Sequence, residues 1–243
     1  MHKRGNTMNR RKSQGFTLIE MALVLVVIGI ILGAVSVGMD MQRDAEIKKI
    51  KQKFVDGWAS AYNQIYSRSG TVVGDNPAMP SKIVGAKKLD ESALDTILDT
   101  GDYEEIISVC ADEDEVNIQD EFKAAGIEMP QGRGVGNEDN YAYADNNGNP
   151  GQLTVCFEYM PPSKANEGSF ASGNVMRITG MSADLAVALD TLIDGVPDST
   201  KGMFRMDNSA DKSIDTWPSI IGDDNESGNA AIARVEVIFK MNQ

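Results

Sequence analysis

Gly15-Phe16-Thr17-Leu18-Ile19-Glu20 is followed by nineteen residues without a charge, Met21 to Met39, MALVLVVIGIILGAVSVGM. Ahead of it, residues 1–15 carry Lys3, Arg4, Arg10, Arg11 and Lys12 and no acid. Nineteen helical residues span about 28 Å, close to the hydrocarbon thickness of a bilayer. Basic residues before an apolar run hold the N-terminus in the cytoplasm and place the chain beyond the run outside. Three readings of the run compete on hydropathy alone. A cleaved secretory signal pairs a basic start with a shorter apolar stretch, and Ala34-Val35-Ser36 resembles its small-residue cleavage site. A plain membrane anchor is the second reading. A buried core helix is the third, and it leaves the basic leader unexplained.

Glu20 separates these readings. A carboxylate near the start of a membrane helix is costly, and such residues usually have a partner and a task. The string Gly15 to Glu20, behind a short basic leader and before an unbroken apolar helix, resembles the class III signal of type IV pilins and type II secretion pseudopilins. The likeness covers about 25 residues at the N-terminal end of the chain, by the same length scale that marks a single span. It implies that residues 1–15 are a leader, cut after Gly15 on the cytoplasmic side by a prepilin peptidase. It implies that Phe16 becomes an N-methylated N-terminus and that Glu20 meets the Phe16 amine of a neighbouring subunit. Met1 and Met8 are both possible starts of the leader. The physics of that pair stands by itself: an amine and a carboxylate in hydrocarbon are each unfavourable alone, and pairing relieves both. Gly29-Ile30-Ile31-Leu32-Gly33 is a GxxxG pattern, read equally well as close helix approach or as ordinary glycine in a membrane helix. Many pilins carry a proline in the second half of this helix; this chain has Val37 there and no proline before Pro77.

Beyond residues 16–39, the transmembrane and assembly helix, the head is expected over residues 40–243. Its first part, 40–69, continues the helix. Ile47, Ile50, Phe54, Trp58, Ala61, Tyr62 and Ile65 fall at three- and four-residue steps and form one apolar stripe. Lys48, Lys49, Lys51, Lys53 and Asp56 lie mainly on the other side, and the lysine run reads as a solvated face or a lipid-headgroup or partner patch. Gly70 is a natural stop. Residues 71–89 and 130–140 read as loops. Short helices are expected from Asp90 or Ser92 to Gly101 and from Asn117 to Ala125. Glu104 to Val109 is ambiguous between helix and strand. Strand signals mark Tyr141–Tyr143, Leu153–Tyr159, Val175–Thr179, Met203–Met206 and Ala233–Met241, with a hairpin connection at 145–150. Ser182 is expected to cap a helix burying Leu185, Ala186, Ala188, Leu189, Leu192 and Ile193. The fold class is therefore α+β and pilin-like. A long N-terminal helix, half transmembrane and half amphipathic, packs against an antiparallel sheet with extra short helices.

Cys110 and Cys156 are the only cysteines, and both come after the membrane helix. They are expected to form a disulfide in an oxidising compartment, with two free buried thiols as the alternative. Such a bridge, closing about 47 residues, contributes roughly 3–4 kcal/mol by loop entropy. Asp112 to Glu115 pack four acids together, and Asp207, Asp211, Asp215, Asp223, Asp224 and Glu226 supply six more. These read as a solvated acidic surface; calcium, which wants six to eight oxygens, is the alternative, although no EF-hand spacing is present. The one histidine, His2, lies in the leader. No Ser–His or Cys–His nucleophile and no His metal site can be drawn from the rest. No catalytic residue, cofactor or enzymatic activity is expected.

The formal net charge of the 243 residues is −13, unevenly laid out. The leader holds +5, residues 40–70 hold +2 and residues 71–243 hold −19. An acidic head lacks the basic footprint that nucleic acid requires. Together with the resemblance, this makes the expected function structural. The chain reads as a subunit of a type IV pilus or pseudopilus-like filament, minor or accessory rather than major. The alternatives are a major pilin, a type II secretion pseudopilin and a filament-tip adhesin. The implied partners are other pilin subunits, a prepilin peptidase, an inner-membrane platform, an assembly ATPase and, before assembly, the lipid bilayer. The implied location is the inner membrane with a single pass and the head outside the cytoplasm, then a filament in the periplasm or at the cell surface.

Overall fold

Helix α1 runs from Leu18 to Ile50 with no proline to break it. The computed structural model describes residues 16–101, 106–111, 116–161, 173–207, 216–218 and 233–241. Two compact units divide the chain, Met1–Glu46 and Ile47–Gln243. In the first, every described residue from Phe16 to Gln42 is exposed, including seventeen large apolar side chains between Phe16 and Met41. Among the described residues one helix is long and apolar enough to cross a membrane.

In the second unit the helix does not stay α-helical throughout. A π-helical turn, Lys51–Val55, leads into α2, Asp56–Ser69. The sequence reads as uninterrupted α-helix here, because a π turn inserts no breaker residue. It keeps Phe54 and Val55 both buried, and Lys51 Nζ reaches Asp56 Oδ2 at 2.8 Å across it. Gly70 ends α2 at φ 74°, a left-handed conformation that glycine adopts without a Cβ clash. The apolar stripe from Ile50 to Ile65 is buried against the sheet. Its aromatic rings meet those of the sheet and of the short helix Ile118–Ala124. Trp58 lies edge-on to Phe122 with centroids 5.2 Å apart, and Tyr62 stacks on Phe157 at 5.1 Å. Each fully buried large apolar side chain contributes roughly 1.5–3 kcal/mol of transfer free energy.

The sheet is antiparallel, ordered β1-β2-β3-β5-β4: β1 Asn140–Ala144, β2 Pro150–Met160, β3 Gly173–Ser182, β4 Phe204–Met206 and β5 Arg234–Lys240. Register places Val155 against Ile178 and Phe157 against Met176, then Ile178 against Val237, so one face carries the core. The opposite face carries Cys156, Glu158, Arg177 and Glu236, with a smaller buried cluster of Met160, Val175 and Ile238. β3 extends past the expected Thr179 to Ser182 by means of a bulge at Gly180. A Cβ at Gly180, φ +75°, would lie 2.1 Å from the Gln152 carbonyl oxygen, so only glycine fits.

The short helices are α3, Glu91–Thr100, α4, Ile118–Ala124, and α5, Ala183–Asp194. Asp90 caps α3 by accepting from Ala93 N at 2.8 Å, and Asn117 caps α4 by accepting from Gln119 N at 2.9 Å. α5 departs from its expected pattern. Ser182 holds the cap position but makes no capping bond through its side chain, and Leu192 is exposed. The helix buries Asp184 and Asp190 beside Leu185, Ala186 and Leu189, because loops dock on those carboxylates. Asp184 Oδ2 accepts from Asn146 N, and Asp190 Oδ2 accepts from Asp198 N and Trp217 Nε1. The fold is thus α+β and pilin-like: a long apolar N-terminal helix whose later part packs on a five-stranded antiparallel sheet.

Candidate functional site

The first turn of α1 is closed by its own side chains. Thr17 N donates to Glu20 Oε2 at 2.7 Å, and Thr17 Oγ1 donates to the same oxygen at 2.9 Å. In return Glu20 N donates to Thr17 Oγ1 at 3.3 Å. This is a capping box, in which the first and fourth residues of the turn satisfy each other's free donors. It gathers a carboxylate at the positive end of the helix, where a negative charge is favoured. The resemblance gives Glu20 a partner in another subunit; the structure adds a local one. Its signal in the sequence is Thr-x-x-Glu directly before an apolar run.

Phe16 is 81% exposed, immediately before the cap. Gly15, the leader and both possible starting methionines lie outside the described residues. Gly29, Gly33 and Gly38 have open space where a Cβ would project, so nothing within this unit requires glycine there. The surface of α1 up to Met39 is a continuous apolar cylinder with one carboxylate at its start. Such a surface cannot face water stably and needs lipid or other apolar helices around it.

In the head, Cys110 and Cys156 are bonded, with Cα atoms 4.6 Å apart. The bridge fastens the 106–111 segment to β2, where Val109 also exchanges backbone hydrogen bonds with Phe157. Val109 is therefore extended, whereas residues 106–108 belong to neither helix nor strand; residues 104 and 105 lie outside the described residues.

Asp207 corrects one expectation. It belongs not to a solvated acidic surface but to an ion network on one face of the sheet: its side chain is 4% exposed and its carboxylate meets Arg177 Nη1 at 2.7 Å. Arg177 also binds Glu158 at 2.6 Å and Glu236 at 3.0 Å. Burial works against the Arg177 charge, but the Glu158 hydrogen bond and the three carboxylates outweigh it and hold the guanidinium above its ordinary range. Asp112 to Glu115, Asp211, Asp215, Asp223, Asp224 and Glu226 lie outside the described residues. Among the described residues no group of three or more His, Cys, Asp or Glu side chains is placed to hold a metal ion.

Residues 10–36 match the family described as the prokaryotic N-terminal methylation motif. No curated protein matches the chain, and no solved structure matches it. The matched span holds the expected cleavage junction, the capping box and most of the exposed apolar helix. The chain therefore carries the prepilin signature of type IV pilins and pseudopilins.

Proposed function

We propose that this chain is a structural subunit of a type IV pilus or pseudopilus-like filament. A prepilin peptidase cuts between Gly15 and Phe16, Phe16 is methylated, and the subunit leaves the bilayer sideways to enter a bundle of like helices. The observation that carries this reading is an exposed apolar helix opening on Thr17 and Glu20, within the matched methylation motif. Apolar burial between helices holds the bundle. Glu20 Oε2 is engaged by Thr17, and the remaining carboxylate oxygen serves the Phe16 amine of a neighbour. Methylation motifs of this kind belong to a structural rather than an enzymatic family, and the head supplies surface rather than chemistry.

Within that class the chain reads as a minor or accessory subunit, because the processed chain exceeds many major pilins in length and its head is rich in loops. The test uses Glu20→Ala in cells. The variant should insert and be cleaved as the wild type is, yet be recovered poorly in sheared filaments. Normal incorporation would sink the proposal. Quantifying this chain against total filament protein decides between accessory and major subunit: trace amounts support the first, and a dominant band the second.

A further inference from the structure

We infer that the exposed lysine row of the second unit, Lys48, Lys49 and Lys53, docks on the acidic head of a second copy of this chain, with α3 of that copy supplying the carboxylates. The inference rests on the filament reading above, and within it takes copies of this subunit to sit side by side rather than singly; recovery of this chain only as isolated copies in the filament overturns it. All three lysines are exposed, whereas Lys51 is held by Asp56. Among the described residues the three have no acidic partner. Glu91, Asp95 and Asp99 are likewise exposed and, among the described residues, unpaired, in one line along α3 at four-residue steps. Like charges at that spacing disfavour a helix, and α3 has no basic residue in its last turn to oppose Asp99 at the negative end of the dipole.

The isolated head therefore displays a row of unmatched cations and a row of unmatched anions on different elements. Lys49 and Lys53 lie four residues apart where α1 passes into the π turn, and neighbouring acids of α3 lie four residues apart, so both rows offer charges at a similar spacing. The charge of the whole chain favours the same partner. Residues 47–69 hold five basic side chains and one acidic, whereas residues 71–243 hold a net −19. In an array of identical copies the lysine row is the concentrated basic surface that opposes repulsion between heads. An anionic lipid surface would engage the lysines but leave the α3 row unmatched.

The test uses the full chain in cells, with filaments sheared and weighed against membrane-held subunit. K48E/K49E/K53E should cut filament recovery about tenfold or more at low ionic strength, since like charges brought together at an interface are strongly disfavoured. Adding E91K/D95K/D99K to the same chain should restore it. In filaments mixed from K49C and D95C subunits, oxidation should link the two kinds. Protection of Cys110 and Cys156 from alkylation reports that each head remains folded. Wild-type recovery of the reversed triple variant, or a folded swap variant that stays unassembled, overturns the inference. So does loss of binding to phosphatidylglycerol vesicles with filament yield unchanged, which would give the row to lipid. Should the wild type itself form no filament, the filament reading falls and this inference with it. If the wild type assembles and only Glu20→Ala fails, the lysine inference falls alone.

Discussion

Thr17 and Glu20 share two jobs that separate substitutions can divide. Thr17→Val keeps the shape and removes the hydroxyl that accepts from Glu20 N and donates to Glu20 Oε2. Losing such a cap costs about 1 kcal/mol of helix-end stability. In detergent micelles, amide exchange at Glu20 should quicken in Thr17→Val and stay near wild type in Thr17→Ser; equal exchange in both would deny the cap. A second residue-scale prediction concerns Asp190. Burial pushes its carboxyl above the ordinary range, partly opposed by the Trp217 and Asp198 donors and reinforced by the nearby Asp194 and Asp198 charges. A carboxyl raised in the fold stabilises it in the protonated form, below its unfolded value, and that contribution is lost as pH rises through the folded value. Asp190→Asn keeps the shape and an acceptor while removing the titration. The stability of the wild type relative to Asp190→Asn should therefore fall as pH is raised from about 3 to about 7. A pH-independent difference would show that Asp190 titrates in the fold as it does in the unfolded chain. Neither local role stands out in the sequence: Thr-x-x-Glu is visible but eclipsed by the membrane signal, and a buried acid on a helix looks like any solvated one until its loop donors are known.

At the scale of elements, the disulfide joins a segment with little structure of its own to the central part of β2. The Cys110→Ser/Cys156→Ser double variant should lose roughly 3–4 kcal/mol of unfolding free energy, read as a lower denaturant midpoint of the full chain in detergent. An unchanged midpoint would mean that the Val109–Phe157 hydrogen bonds alone secure the segment. Trp58 is fully buried, edge-on to Phe122 of α4 and to Phe157 of β2, so it ties the long helix to both. Trp58→Ala should cost about 3–5 kcal/mol in the same measurement. Elements with period and punctuation are legible in the sequence. The 3.6-residue stripe on Ile50 to Ile65 marks the packing face of the long helix, the turn residues at 145–149 mark the β1–β2 hairpin, and Gly70 and Gly101 close their helices where expected. What resists reading is set by tertiary contact. The π turn at Lys51–Val55 has no breaker. Leu192 is turned outward because Asp190, not Leu192, meets the loop from Gly195 to Met203. Arg177 gathers Glu158, Asp207 and Glu236 only because β2, β3 and β5 lie side by side.

For the whole molecule, the uneven charge layout makes a claim about direction. Five positive charges precede an apolar span with one carboxylate, and residues 71–243 beyond it carry a net −19. Positive residues flanking a span are retained in the cytoplasm, so the head is expected on the other side, in an oxidising compartment. The cysteines report this without disturbing the helix. In wild-type cells lysed into a thiol-alkylating reagent under denaturing conditions, Cys110 and Cys156 should be unreactive until reduced. Replacing Arg10, Arg11 and Lys12 by Glu, next to the span where such charges weigh most, should leave a large fraction of heads on the cytoplasmic side, with both thiols alkylated directly. Unprocessed leader should accumulate with them, since a chain in the wrong orientation presents its Gly15–Phe16 junction on the side away from the peptidase. Two results would overturn the orientation argument: thiols that react freely in the wild type, or a charge-reversed leader that leaves disulfide and processing unchanged. The two readouts are linked through one physical cause, because a span with the wrong flank moves the cysteines and the cleavage junction to opposite sides of the membrane at once.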